Sequence, residues 1–239
     1  MISKPTAGRT GSPRQVSPNP GLEQAALVAL LVASACGGGD PLLTPNPKTL
    51  ATAAPDSFEV RLETTRGPAT LRVYRAWSPL GVDRFHYLAS HGFYDGARFF
   101  RVVAGFVAQF GLSGTPVLDA VWADRTIPDE PVRQSNVRGT ISYARGGPNT
   151  RSQQLYINLV DNVRLDTVST FGFPPIGRVV EGMAAIDSLY SGYGGTNRQR
   201  LPGPSQDSIR VAGNGYLDRQ FPLLDRIVRA RVTREWRGR

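Results

Sequence analysis

The stretch Phe99-Phe100-Arg101-Val102-Val103-Ala104-Gly105-Phe106-Val107-Ala108-Gln109 constrains the fold of this chain more than any other. It starts as a strand, with Phe100, Val102 and then Phe106 as apolar positions, and it sets one arginine and one glutamine among them. A guanidinium has five donors and no acceptor, so an arginine inside an apolar run is costly to bury unless its donors find partners. Two arrangements meet that demand. In one, the stretch is an edge strand whose arginine snorkels to water. In the other, Arg101 is a charged donor set into an apolar floor to meet a ligand.

Around this stretch the chain reads as short alternating runs separated by turn signals. Phe58, Val60 and Leu62 alternate, a turn follows at Arg66-Gly67, and Leu71 and Val73 alternate again, which predicts a hairpin. Ser78-Pro79 reads as an N-cap followed by a proline in the first helical turn. Val82, Phe85, Leu88 and Ala89 supply the buried stripe of that helix and Gly92 its stop. Between Gly111 and Arg138 the chain reads as loop, with Pro116, Pro128 and Pro131. Strands are expected at about 138–144, 154–160 and 175–180, then a second helix through Met183, Ile186, Leu189 and Tyr190. Gly192 to Pro204 reads as a surface excursion and Tyr216 to Leu224 as a short helix limited by Pro222. Ile227, Arg229 and Arg231 alternate against Val228, Ala230 and Val232, so the chain closes on a strand. No internal repeat is found.

At 239 residues the chain can bury one substantial core. Its 28 Lys and Arg exceed 19 Asp and Glu, but no run of five or more basic residues occurs, so no nucleic-acid partner is expected. The two histidines, His86 and His91, stand five apart with no cysteine partner, which leaves no metal site, and no cofactor is expected. Neither a Gly-x-Ser-x-Gly elbow nor a phosphate-cradling glycine loop is present. The single cysteine, Cys36, rules out a disulfide framework. It follows the apolar run Ala25 to Ala35, shorter than the roughly 20 residues of a membrane-spanning helix but of the length of a signal-peptide core. Lys4, Arg9 and Arg14 lie upstream, and Ala33-Ser34-Ala35-Cys36 resembles a bacterial lipobox, although Ala33 stands where Leu is preferred and Glu23 immediately precedes the core. A non-lipidated signal peptide cleaved near the same place is the alternative. The reading is a signal peptide over 1–35, a flexible proline-punctuated tether over 36–56 and a folded domain over 57–236. Lipidation at Cys36 implies a cell-envelope protein, anchored on the periplasmic or extracytoplasmic face of a membrane.

A second stretch, Gly139-Thr140-Ile141-Ser142-Tyr143-Ala144-Arg145-Gly146-Gly147-Pro148-Asn149-Thr150, runs on into Gln154-Leu155-Tyr156-Ile157-Asn158-Leu159. With the first, and with Leu165-Asp166 ahead of Ile176-Gly177-Arg178-Val179-Val180-Glu181-Gly182-Met183, it resembles the cyclophilins, the peptidyl-prolyl cis–trans isomerases. The family pattern is F-H-R-x-x-x-x-F-x-x-Q, later G-x-x-x-M/Y-A-x-x-x-P-N-x-x-x-S-Q-F-F-I, and later L-D before F-G-x-V-x-x-G-M. The resemblance covers roughly 57–191 and the last strand. It implies a mainly β fold, a closed eight-stranded antiparallel barrel capped by two α-helices, acting as a monomer on proline-containing segments of client proteins.

By resemblance, Arg101 donates to the prolyl nitrogen, Gln109 orients it and the substrate backbone, and Phe106 completes the catalytic group. Phe106, Val107, Tyr156 and Leu165 line the proline pocket, while Ala144 and the main chain at Arg145 flank the residue before proline. Phe173 falls where members carry His or Tyr. Val107 replaces a common Met, Tyr156 replaces Phe and brings a hydroxyl that needs a partner, and Phe110 interrupts the usual Gly-Gly after the glutamine. Arg164 stands where many members have Trp or Phe, and a Trp there contacts the cyclic peptide cyclosporin in members that bind it tightly. The rival expectation is a cyclophilin-like scaffold that binds proline-containing segments with little turnover. Retention of both Arg101 and Gln109 speaks against it, because binding alone needs the pocket more than the donor.

Overall fold

Alternation of apolar residues builds one eight-stranded sheet. Its strands are β1 (Ser57–Thr64), β2 (Gly67–Tyr74), β3 (Arg101–Val103), β4 (Val107–Phe110), β5 (Thr140–Tyr143), β6 (Leu155–Asn158), β7 (Pro175–Glu181) and β8 (Ile227–Trp236), arranged β3-β4-β6-β5-β7-β2-β1-β8. Every pairing is antiparallel. The computed structural model describes residues 39–168, 170–195 and 203–238. Cys36 and the leader lie outside the described residues.

The period of two sends one set of side chains inward. Phe58, Val60 and Leu62 of β1, Leu71 and Val73 of β2, and Ala108 and Phe110 of β4 are all buried, with Ile141, Tyr143, Leu155 and Ile157 from β5 and β6. Helix α2 (Pro79–Ser90) lays Val82, Phe85, Leu88 and Ala89 on this core. Phe110 is absorbed here too, with its ring 5.3 Å from that of Phe99 and 5.7 Å from that of Tyr94. Each Val, Leu, Ile or Phe side chain among them stabilises the fold by about 1.5–3 kcal/mol on burial. The start of α2 is not capped by Ser78 as the Ser-Pro signal suggests. Glu130 does it: its carboxylate accepts from Leu80 N at 2.9 Å, from Gly81 N at 3.2 Å and from the Ser78 hydroxyl. Arg151, fully buried, donates to the same carboxylate at 2.9 Å.

The sheet curls, but the barrel expected to be closed is open. Edge strand β3 is three residues long, too short to carry a ladder across to β8. The chain just before β3 makes the contact across the gap, through one bridge between Arg98 and Arg226 and bonds such as Phe99 N to Asp225 O at 2.9 Å and Gly96 N to the Ile227 carbonyl at 2.8 Å.

Three stretches carry more structure than the sequence pattern suggests. Residues 40–56, read as a free tether, are fastened to the domain. They hold the short helix α1 (Pro47–Leu50), bury Leu42 and Ala54, and accept at the Leu42 carbonyl from Trp122 Nε1 at 2.9 Å and at the Pro41 carbonyl from Tyr87 Oη at 2.8 Å. The stretch read as loop contains α3 (Pro116–Ala123), whose buried Trp122 joins the main core. The second expected helix, α4 (Met183–Asp187), is present but short. Where a short helix near 216–224 is expected, α5 runs from Gln206 to Gln220, kinked at Gly213 (φ +58°). Pro222 lies beyond its end. Ile209 and Leu217 of α5 pack on Phe100 and Leu112 in a small core of their own.

Candidate active site

The hairpin β3–β4 sets Arg101 directly opposite Gln109. Partners across an antiparallel pair share a face, so both side chains project away from the core. Arg101 Nη1 donates to Gln109 Oε1 at 3.1 Å, and Arg101 Nε donates to the Gly195 carbonyl at 3.3 Å. Gln109 is in turn opposite Tyr156 on β6, which extends the same face. The turn between β3 and β4 carries Phe106, with the Arg101 guanidinium 5.7 Å from its ring centre.

Beside this pair lies a cavity of about 270 Å³ lined by Arg101, Phe106, Val107, Gln109, Ala144, Arg145, Tyr156, Leu165, Phe173 and Gln206. Its apolar floor is a cluster separate from the main core: Val107, Tyr156 and Leu165 buried, with Phe106, Ala144 and Phe173 packed against them. The sequence-predicted residues therefore converge, with one exception. Arg164 lies outside the lining, exposed at the rim, its guanidinium 5.2 Å from the ring centre of Phe106.

The walls are held from behind by polar groups. The Tyr156 hydroxyl donates to Asn136 Oδ1 at 3.1 Å, and burial raises its pKa so that it stays neutral. Asn136 Nδ2 donates to Asp166 Oδ1 and to the Phe173 carbonyl, both at 2.8 Å, fixing the loop that presents Leu165 and Phe173. Arg145 turns its side chain away from the cavity centre. It donates to the Gly172 carbonyl at 2.7 Å and to Asp129 at 3.2 Å, and its guanidinium stands 5.0 Å from the centre of the Phe173 ring.

Burial lowers the pKa of Arg101, because desolvation disfavours the charged form, but a guanidinium remains protonated at neutral pH. Among the described residues the lining contains no carboxylate, imidazole or thiol. The site therefore offers a fixed cationic donor over an apolar floor, suited to stabilising charge or a lone pair rather than to proton transfer or nucleophilic attack. Sequence reasoning missed two of its residues. Gln154, which accepts from Gln109 Nε2 at 3.0 Å, stands within the second motif but was given no role. Gln206 comes from α5, where no sequence signal connects it to Arg101.

Residues 59–212 match the family model described as cyclophilin type peptidyl-prolyl cis-trans isomerase/CLD. A peptidyl-prolyl cis-trans isomerase-like 1 of Rhizopus delemar is 33% identical over 137 residues, which cover 55% of this chain and 79% of that protein. Peptidyl-prolyl cis-trans isomerase A of Dickeya dadantii is 33% identical over 141 residues, covering 58% of this chain and 74% of that protein. In three dimensions the chain is similar to a cyclophilin type peptidyl-prolyl cis-trans isomerase of Cryptosporidium parvum, with a TM-score of 0.52 at 17% identity over 75% of this chain and 99% of that one. That protein's structure was also determined in the presence of the dipeptide Ala-Pro. With its motifs in order, its fold similar and more than half its length matched by the family model, this chain belongs to the cyclophilin-type peptidyl-prolyl cis–trans isomerases.

Proposed function

We propose that the isomerase works by placing the Arg101 guanidinium against the prolyl nitrogen of an X–Pro bond while the proline ring sits on Val107, Tyr156 and Leu165. The X–Pro bond resists rotation because amide resonance is lost midway, over a barrier of about 18–20 kcal/mol. No covalent bond changes, so no nucleophile or base is needed. An apolar floor disfavours the charge-separated resonance form of the planar amide. A donor that meets the nitrogen lone pair binds the twisted amide better than the planar one, and that difference lowers the barrier.

The observation that carries this reading is the register of Arg101 with Gln109 at the edge of the apolar cavity. Gln109 takes one guanidinium donor and leaves others for the substrate. The similar fold studied with Ala-Pro supports a proline-containing segment as the ligand class. The test is an isomerisation assay paired with a binding assay on Arg101→Ala. Turnover should fall while affinity for an Ala-Pro peptide changes little, because the floor is untouched; parallel loss of both would assign Arg101 to binding alone.

We further infer that the leader directs export and that Cys36 is acylated, which places a monomeric domain on the periplasmic or extracytoplasmic face of a membrane. The apolar run ending at Cys36 supports this. Expressed in a bacterium, the full chain should partition with membranes and Cys36→Ser should release it. Wild-type protein that is soluble and unacylated would refute the anchor.

A further inference from the structure

Arg101 is held by Gly195 on one side and, through a chain of amides, by Gln206 on the other, both outside the sheet. On its Nε side stands the Gly195 carbonyl at 3.3 Å. On its Nη1 side a chain of amides leads away: Arg101 Nη1 to Gln109 Oε1 at 3.1 Å, Gln109 Nε2 to Gln154 Oε1 at 3.0 Å, and Gln154 Nε2 to Gln206 Oε1 at 3.1 Å. The direction of this chain is forced. A guanidinium has only donors, so Gln109 must turn its oxygen to Arg101 and offer its NH2 onward, and Gln154 must do the same. Gln206 supplies the terminal acceptor. It is the first residue of α5, which is anchored independently by Ile209 and Leu217 on Phe100 and Leu112.

We propose that Gly195 and Gln206 are positioning residues for Arg101, which fix the guanidinium before substrate arrives. The inference rests on the catalytic role given to Arg101 above. The absence of a side chain at 195 fits it: a Cβ there would lie 2.1 Å from Arg101 Cγ and 2.8 Å from its Nε. The backbone at Gly195 does not have the positive φ seen at Gly194, so a larger residue is excluded by the arginine rather than by backbone strain. A preorganised donor saves the cost of ordering it in the transition state, so its supports act on turnover more than on binding.

Three variants of the full chain test this, each checked for folding by circular dichroism. Gly195→Ala pushes the Arg101 stem aside. Gln206→Leu removes the terminal acceptor, and Gln206→Glu keeps it. Loss of one such hydrogen bond predicts a kcat lowered about three- to tenfold in Gly195→Ala and Gln206→Leu, with KM nearly unchanged and Gln206→Glu restored to within about twofold of wild type. The Arg101 Nε–H resonance, assigned by its loss in Arg101→Lys, should shift and broaden in the two impaired variants only. This readout does not need turnover. An inactive wild type would fail the isomerase reading and leave the resonance to decide the positioning claim. An unchanged resonance, unchanged kcat in the presence of a shifted one, or equal damage from Gln206→Leu and Gln206→Glu would overturn it.

Discussion

Arg101 shows how a residue that is costly in isolation becomes useful in context. Its donors go to Gln109 and Gly195 and its charge faces an apolar cavity, so in the role proposed above the desolvation that lowers its pKa would also strengthen its field at a substrate nitrogen. The residues around it were largely legible because a strand period of two and a hairpin register are local facts. Tyr156 announced a hydroxyl in need of a partner, yet its partner Asn136 lies 20 residues away and no pattern marks it. Arg164 was legible as a departure, and its exposed place over Phe106 gives that departure a consequence. A guanidinium offers less rigid apolar cover than an indole. Arg164→Trp should therefore tighten cyclosporin binding by about 1–3 kcal/mol while changing turnover much less. Titration of both forms with the drug measures this, and equal affinity for the two would remove Arg164 from the rim contact.

Among the elements, those built from local signals were read correctly and those held by distant partners were not. The β1–β2 hairpin and α2 follow from alternation, a Gly turn and a Ser-Pro start. The cap on α2, however, comes from Glu130, 52 positions from Ser78, and is tied to the buried Arg151. Removing one member of a buried ion pair is costly, and Arg151 would keep only the more distant Asp129 at 3.8 Å as a carboxylate partner, so Glu130→Gln should lower stability by about 3 kcal/mol, read as a shift in the urea midpoint. A midpoint equal to wild type would show that Ser78 suffices. Of α5 only the C-terminal part, near 216–220, was legible, for another reason. Gly213, with a φ of +58°, breaks its helical period, and its Cβ position is closed by the Gly114 carbonyl at 2.3 Å, so the element exists through packing on α3's neighbourhood rather than through its own pattern. The docked segment 40–56 is similar: its prolines and small residues say tether, and the partners that hold it down, Asp83, Tyr87 and Trp122, lie far along the chain.

At the scale of the whole molecule, the open sheet separates two surfaces with different tasks. The inner face is an uninterrupted apolar core against α2, and the outer face of β3, β4 and β6 is the floor of the site. A one-residue slip in β4 would exchange Gln109 for Phe110 and destroy both at once, so core packing itself enforces the register that places Arg101 against Gln109. The central claim is that this placement lowers the rotational barrier. Its most direct test is the cis-to-trans rate of a short Ala-Pro peptide, measured with no protein, with wild type and with folded Arg101→Ala. Wild type should accelerate the exchange strongly, and Arg101→Ala should lose about 2–4 kcal/mol of that effect, the scale of one preorganised donor. Undiminished acceleration by the folded Arg101→Ala variant would contradict the account.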